Sequence, residues 1–162
     1  RVLFHVLTDF GYSDLAFSMI TRPDYPSYGN WIARGATTLW EVFQPEGSDR
    51  IGSLNHHFWG DISSWFTQAL SGIRMAPHGE PNEVDFRPSF ISRLTHAEAF
   101  HIAPAGRIAS AWERDEDDVI ELTVELPSTM HGVIRLESGY VFEDGLAHKA
   151  AESGTYCIHS IE

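Results

Sequence analysis

The 162 residues include five Trp, five Tyr and ten Phe, and 43% are hydrophobic, which is ample for a packed core and too apolar for a disordered chain. The formal charge of −12 is uneven, with eight Asp/Glu against five Arg in residues 1–80 and fifteen against six Lys/Arg in residues 81–162. No Lys/Arg cluster could neutralise phosphates, so nucleic acid and anionic membrane surfaces are disfavoured and neither is expected as a partner, and no run approaches the roughly 18 apolar residues of a membrane span.

Val2, Leu3, Val6 and Leu7 have helical spacing and read as the tail of a helix, with Gly11 at its C-terminus. The chain thus starts inside a helix, as expected of a piece of a longer protein. Ser13-Asp14 suits the next helix start, and Leu15, Ala16, Met19 and Ile20 form that helix's apolar face. Pro23 and Pro26 end it. A short helix is expected over Tyr28–Ala33, closed by Gly35. Ser53 is expected to cap a longer helix in which Leu54, Phe58, Ile62, Trp65, Phe66, Ala69, Leu70 and Ile73 recur at three- and four-residue steps.

The texture changes near Pro77-His78-Gly79-Glu80-Pro81, where the apolar period switches from 3.6 to 2. Ala97–Ile102 and Arg107–Trp112 read as a hairpin about Pro104-Ala105-Gly106. Ile120, Leu122, Val124 and Leu126 alternate with Glu121, Thr123 and Glu125, the pattern of a half-buried strand. Val133–Leu136, Tyr140–Phe142 and Tyr156–Ile161 read as further strands, separated by turn signals at Ser138-Gly139, Asp144-Gly145 and Ser153-Gly154. The run Glu113–Asp118 reads as a solvated turn. The expected fold class is α+β, with a helical part over residues 1–76 and an antiparallel β-sandwich over residues 77–162.

The segment from Asp24 to Gly72 carries the chemistry. It gathers Tyr25, Tyr28, Trp31, Trp40, Trp59 and Trp65 with Glu41, Asn55, His56, His57 and Asp61. Sugar sites combine aromatic faces for the ring's C–H groups with carboxylates and imidazoles for its hydroxyls. Most of these Trp are nonetheless expected in the core, Trp65 above all. In Gly35-Ala36-Thr37-Thr38-Leu39-Trp40-Glu41, β-branched residues after a glycine put Glu41 on a connecting segment between Trp40 and Phe43, where a carboxylate can be tuned for proton transfer.

Four blocks in this order resemble the bacterial α-L-rhamnosidase family: Leu7-Thr8-Asp9-Phe10-Gly11-Tyr12-Ser13-Asp14-Leu15-Ala16, Asp24-Tyr25-Pro26-Ser27-Tyr28-Gly29, Gly35–Glu41, and Ser53-Leu54-Asn55-His56-His57. Arg87-Pro88 and the hairpin from Pro104 to Trp112 resemble the start of that family's C-terminal β-domain. The resemblance implies the last helices of an (α/α)6 barrel followed by a β-sandwich. It also implies inverting hydrolysis of terminal α-L-rhamnosides. On it, Glu41 maps to the general base, His56 to a sugar contact, and Trp40 either lines the pocket or wedges the loop. The family's general acid lies upstream of anything in this sequence, so the chain is expected to be inactive alone, to need the upstream remainder as its partner, and to expose an apolar barrel edge. Inversion needs an acid and a base roughly 6.5–9.5 Å apart, with room for the water between. The connection Pro45–Gly52 is short for the family, and His57 stands where a Tyr is frequent.

No cofactor is expected and no metal. Adjacent His56 and His57 would diverge on a helix, unlike the i, i+4 pair of a zinc site, and lone Cys157 reads as buried packing. His96, His101, His131, His148 and His159 read as surface or interface residues. The competing reading is a non-catalytic carbohydrate-binding or barrel-bracing module. Glu41 separates the two, since an enzyme needs it ionised and a module tolerates Gln.

Overall fold

The computed structural model describes residues 2–48 and 52–161, and the chain forms two compact units, Arg1–Trp65 and Phe66–Glu162. The division falls ahead of the texture change at Pro77.

In the first unit, α1 (Leu3–Asp9), α2 (Ser13–Thr21) and α3 (Tyr28–Ala33) follow the expected order. At the end of α1, Gly11 takes φ +80°, which lets its N–H bond Thr8 O at 3.0 Å while Tyr12 N–H bonds Leu7 O at 2.7 Å. This paired closure satisfies two carbonyls that the helix end would leave open. Ser13 is the first helical residue of α2 rather than its cap, and Asp14 sits in the positively polarised first turn. Ala16 and Ile20 are buried, Met19 is half-buried and Leu15 is exposed. Arg22, before Pro23, takes the extended ψ of 140° that a following proline favours. Ser27 caps α3, its hydroxyl accepting from Asn30 N–H at 2.8 Å.

The long helix expected from Ser53 does not form. The chain instead runs through a 3-10 turn over His57–Trp59, then α4 (Asp61–Trp65), then a π-helical turn over Phe66–Leu70. The backbone of Ser53 and His56 is committed elsewhere, to Glu41 and Leu39, and Ser53 closes a local turn through its hydroxyl and Asn55. Leu54 and Phe58 therefore leave the apolar stripe and stand 54% and 46% exposed, while Ile62, Trp65, Ala69 and Leu70 remain buried. Gly72 turns the chain with φ +77°, and Ile73 begins a strand rather than ending a helix.

The second unit is two sheets. One has the order β1 (Ile73–Met75), β2 (Val84–Phe86), β6 (Val133–Arg135), β8 (His148–Ala150). The other has β3 (His96–Ala103), β4 (Gly106–Arg114), β5 (Ile120–Glu125), β9 (Gly154–Ser160), β7 (Tyr140–Phe142). β1, β2 and β8 are too short to have left an alternation in the sequence. The sheets are antiparallel with one exception: β2 and β6 pair parallel, Phe86 opposite Ile134, extended by a parallel bridge between Glu83 and His131. Gly132 permits this approach, because a Cβ there would run into the Val84 carbonyl.

Both sheets contribute to one core. Val84, Phe86 and Ile134 from the first meet Ile108, Trp112, Ile120, Leu122, Val124, Phe142 and Ile158 from the second. The inward residues of β5 are the alternate Ile120, Leu122 and Val124, so the period of two decides which face is buried. Trp112 sits at the centre, edge-on to Phe90 at 5.5 Å, and its indole donates to Leu70 O at 2.7 Å. A buried carboxylate, Asp85, is compensated by Arg87 at 2.6 Å and Arg135 at 3.3 Å. Burial works to raise its pKa, but the two guanidiniums hold it below the ordinary 3.8. Glu113–Asp118 is largely a solvated turn: Asp115 accepts from Asp117 and Val119 N–H at 2.9 Å, and Arg114 pairs with Asp118 at 2.5 Å. Cys157 is half-buried rather than buried. The five histidines assigned to the surface are exposed.

Candidate active site

Glu41 lies in the first unit on a loop, as its sequence context requires, but the loop is braced in a way no local pattern announces. Glu41 N–H donates to Ser53 O at 2.9 Å and His56 N–H donates to Leu39 O at 2.8 Å. Leu39–Glu41 and Ser53–His56 are therefore two laterally paired segments, and the pairing brings together the two blocks that carry Glu41 and His56. Thr38 adds a hydroxyl bond to Leu54 O. Asp49, Arg50 and Ile51, within the short connection Pro45–Gly52, lie outside the described residues.

The Glu41 side chain is exposed and anchored. Its Oε2 accepts from Ser53 N–H at 2.9 Å. The Glu41 carbonyl accepts from the Trp59 indole at 2.9 Å. One residue is thus gripped by a backbone amide at its carboxylate and by an aromatic N–H at its main chain. A carboxylate fixed through one oxygen has its orientation set and can offer the other to water.

His56 is half-buried at the head of the 3-10 turn. Its Nδ1 accepts from Phe58 N–H at 3.1 Å, so the neutral ring carries its proton on Nε2 and presents a donor there. His57 stacks on it at 5.1 Å and 15°. The divergence expected of adjacent histidines on a helix does not arise, because His56 is extended rather than helical.

Trp40 is half-buried. Its ring lies 6.0 Å from Trp31, with the Arg34 guanidinium 5.2 Å over its face. These contacts hold the loop against α3. Most of the other rings form the unit's core: Trp31 stacks on Phe43 at 4.3 Å, Tyr28 meets both edge-on, and Trp59 leans on Phe43 at 5.0 Å. Trp65 is fully buried, its indole donating to Phe4 O at 3.1 Å and Thr8 Oγ1 at 2.9 Å.

A cavity of about 300 Å³ opens beside this aromatic core, lined by Leu3, Phe4, Tyr28, Phe43, Trp59 and Trp65 among others. Its walls are apolar except near Ser27, Tyr28 and Asp61. Burial, reinforced by the Asp61 carboxylate, pushes the Tyr28 hydroxyl up to about 12, so it stays protonated, and it donates to Trp59 O at 3.2 Å. Glu41, Trp40 and His56 do not line this cavity. α1 buries none of its side chains, and Val2, Leu3, Val6 and Phe10 are all exposed.

Sequence reasoning singled out Glu41 as a candidate but missed its braces, the Ser53 amide and the Trp59 indole. A backbone donor leaves no mark in a sequence. Trp59 could have been singled out only as the one Trp directly following the histidine block.

Helices leading into a two-sheet β-unit fit the end of a six-hairpin glycosidase. Residues 1–70 match the family described as bacterial alpha-L-rhamnosidase 6 hairpin glycosidase domain, and residues 82–140 match the bacterial alpha-L-rhamnosidase C-terminal domain. The chain belongs to the bacterial α-L-rhamnosidase family. An α-L-rhamnosidase of Streptomyces avermitilis is 30% identical over 131 residues, covering 77% of this chain and 12% of that protein. One from an Alteromonas species is 31% identical over 135 residues, covering 78% and 14%. A crystal structure of the Streptomyces avermitilis enzyme complexed with L-rhamnose superposes with a TM-score of 0.80 at 26% identity, over 96% of this chain and 17% of that one. The chain therefore spans only about an eighth of the length of the curated relatives it matches.

Proposed function

We propose that this chain supplies the last helices of an (α/α)6 barrel and the following β-sandwich of a glycoside hydrolase. That enzyme cleaves terminal α-L-rhamnosides with inversion, and Glu41 is its general base. The observation that carries this reading is the anchored carboxylate. The Ser53 amide holds one oxygen, the Trp59 indole holds the main chain, and the group stays open to solvent. A base that must align a water with the anomeric carbon needs this kind of prior orientation, since pre-set geometry removes a large part of the barrier. In an inverting reaction the base takes a proton from water as its oxygen attacks one face, while an acid protonates the leaving oxygen on the other. The acid comes from the remainder of the catalytic domain, so the activity belongs to the polypeptide that contains both parts.

His56 contacts a sugar hydroxyl through Nε2–H, the donor that the Phe58 amide leaves on its outer edge. Trp40 shapes the loop from behind, as its contacts with Trp31 and Arg34 favour, rather than serving as a platform. The exposed apolar side of α1 is the edge against which preceding barrel helices pack. The barrel assignment covers residues ahead of Ile73, since β1 already pairs with β2, and the β-domain takes the rest.

The test is hydrolysis of an aryl α-L-rhamnoside by the full-length enzyme, wild type against Glu41→Gln, with the first-formed anomer followed by NMR. The variant should lose about 10²–10⁴-fold in rate at unchanged circular dichroism, as for loss of a general base. The wild type should release the β-anomer. Unchanged turnover removes Glu41 from the mechanism, and retention removes the inverting assignment.

A further inference from the structure

The outer face of the five-stranded sheet carries a group of side chains with no part in the site above. β7 and β9 pair antiparallel, Val141 opposite His159 and Phe142 opposite Ile158. Phe142 and Ile158 are buried in the core. Cys157 and His159 flank Ile158 and so lie on the opposite face, and Glu143 follows Phe142 onto that same face. The Cys157 Sγ, a His159 ring nitrogen and a Glu143 carboxylate oxygen all lie within 4.8 Å of one another.

The spacing is informative. Cys157 Sγ and His159 Nε2 are 3.5 Å apart. A tetrahedral zinc ion, about 2.3 Å from sulfur and about 2.0–2.1 Å from nitrogen, holds two such donors roughly 3.6 Å apart. These two donors already stand at the edge length of a zinc tetrahedron. The third donor, the Glu143 carboxylate in the turn after β7, comes from a different segment of the chain and lies within 4.8 Å of both.

The surroundings favour a cation. β5 lies on the other side of β9 and places Glu121 opposite Cys157. The Glu143 and Glu121 carboxylates put negative charge beside the thiol, which suits a cation, and a bound divalent ion would hold Cys157 as its thiolate.

We propose that Glu143, Cys157 and His159 form a binding site for a thiophilic divalent cation, Zn²⁺ foremost, with a fourth position open to water. A thiolate and an imidazole select zinc-like ions over calcium or magnesium. Bound there, the ion ties β7 to β9 across the end of the sheet and raises the stability of the β-unit by mass action. Filling the site releases the thiol proton and moves no electrons.

The test uses the full chain, kept reduced, titrated with Co²⁺ and then with competing Zn²⁺. The expected result is one equivalent of Co²⁺ bound, with a thiolate-to-cobalt charge-transfer band and tetrahedral d–d bands. Zn²⁺ should displace it and raise the midpoint of thermal unfolding. Cys157→Ser should abolish the band. His159→Asn and Glu143→Gln should each weaken binding by more than about tenfold, the effect that loss of even an outer-shell partner has on a metal site. Failure to saturate at one equivalent, Co²⁺ bound without a thiolate band, or undiminished affinity in Cys157→Ser would each overturn the proposal. Should Cys157→Ser misfold, Glu143→Gln decides, because its exposed side chain has no part in the core, and unchanged affinity there sinks the three-ligand site. None of these outcomes depends on Glu41.

Discussion

The two units use polar groups in opposite ways. In Phe66–Glu162 they serve the fold: Asp85 is compensated inside by Arg87 and Arg135, and Trp112 spends its indole on the Leu70 carbonyl within the core. In Arg1–Trp65 several of them brace an exposed loop: the Ser53 amide, the Trp59 indole and the Thr38 hydroxyl converge on the Glu41 and Leu54 segments. The second unit hides a continuous apolar core between two sheets, whereas the first leaves α1 with no buried side chain. The difference teaches where substitutions should strike. Changes in the loop should cost activity and spare stability, and changes in the β-core should do the reverse.

The largest expected effect is that of Glu41→Gln on turnover of the full-length enzyme, about 10²–10⁴-fold, with the midpoint of urea unfolding unmoved. A large loss of stability instead would erase the contrast between the units. Next is the double change Arg87→Ala with Arg135→Ala, which strands the Asp85 carboxylate. Leaving a buried charge uncompensated should cost about 3–5 kcal/mol in urea unfolding of the chain, followed by circular dichroism.

The acid limb sharpens this second case. Asp85 titrates below 3.8 in the folded wild type, so its contribution is present above the unfolded value and is lost as pH falls through the lower folded one. With both arginines gone only burial acts, the folded value rises, and acid should cease to weaken this group. Stability measured from neutral pH down past 3.8 reads the sign directly.

Trp112→Phe keeps the ring beside Phe90 but removes the donor to Leu70, and should cost about 1–3 kcal/mol for the unsatisfied buried carbonyl. Ser27→Ala removes the α3 cap and should cost about 0.5–2 kcal/mol, which far-ultraviolet circular dichroism on heating can follow. The smallest effect is expected at Glu125→Gln. Its ion pair with Arg107 is about half exposed on both sides, so the loss should stay below about 1 kcal/mol and shrink further in salt.

What the sequence by itself determined was whatever depends on near neighbours. The period of two over Ile120–Leu126 settles β5 and its buried face. Glycine and proline punctuation settles the ends of α1, α2 and α3, because φ and ψ limits act within one or two residues. The order of four short blocks identified the family, and with it the role proposed for Glu41. Only the tertiary structure decided the rest, in each case through a partner distant in sequence. The helical period from Leu54 to Ile73 was overruled because the Ser53 and His56 backbone bonds residues Glu41 and Leu39 instead. β2 and β6 pair parallel because Gly132 lets two backbones meet across a long connection. Cys157 and His159 are near neighbours on β9, and only the β7–β9 register brings Glu143 to them. Periodicity records which face of an element is apolar, but not which other segment will satisfy its backbone.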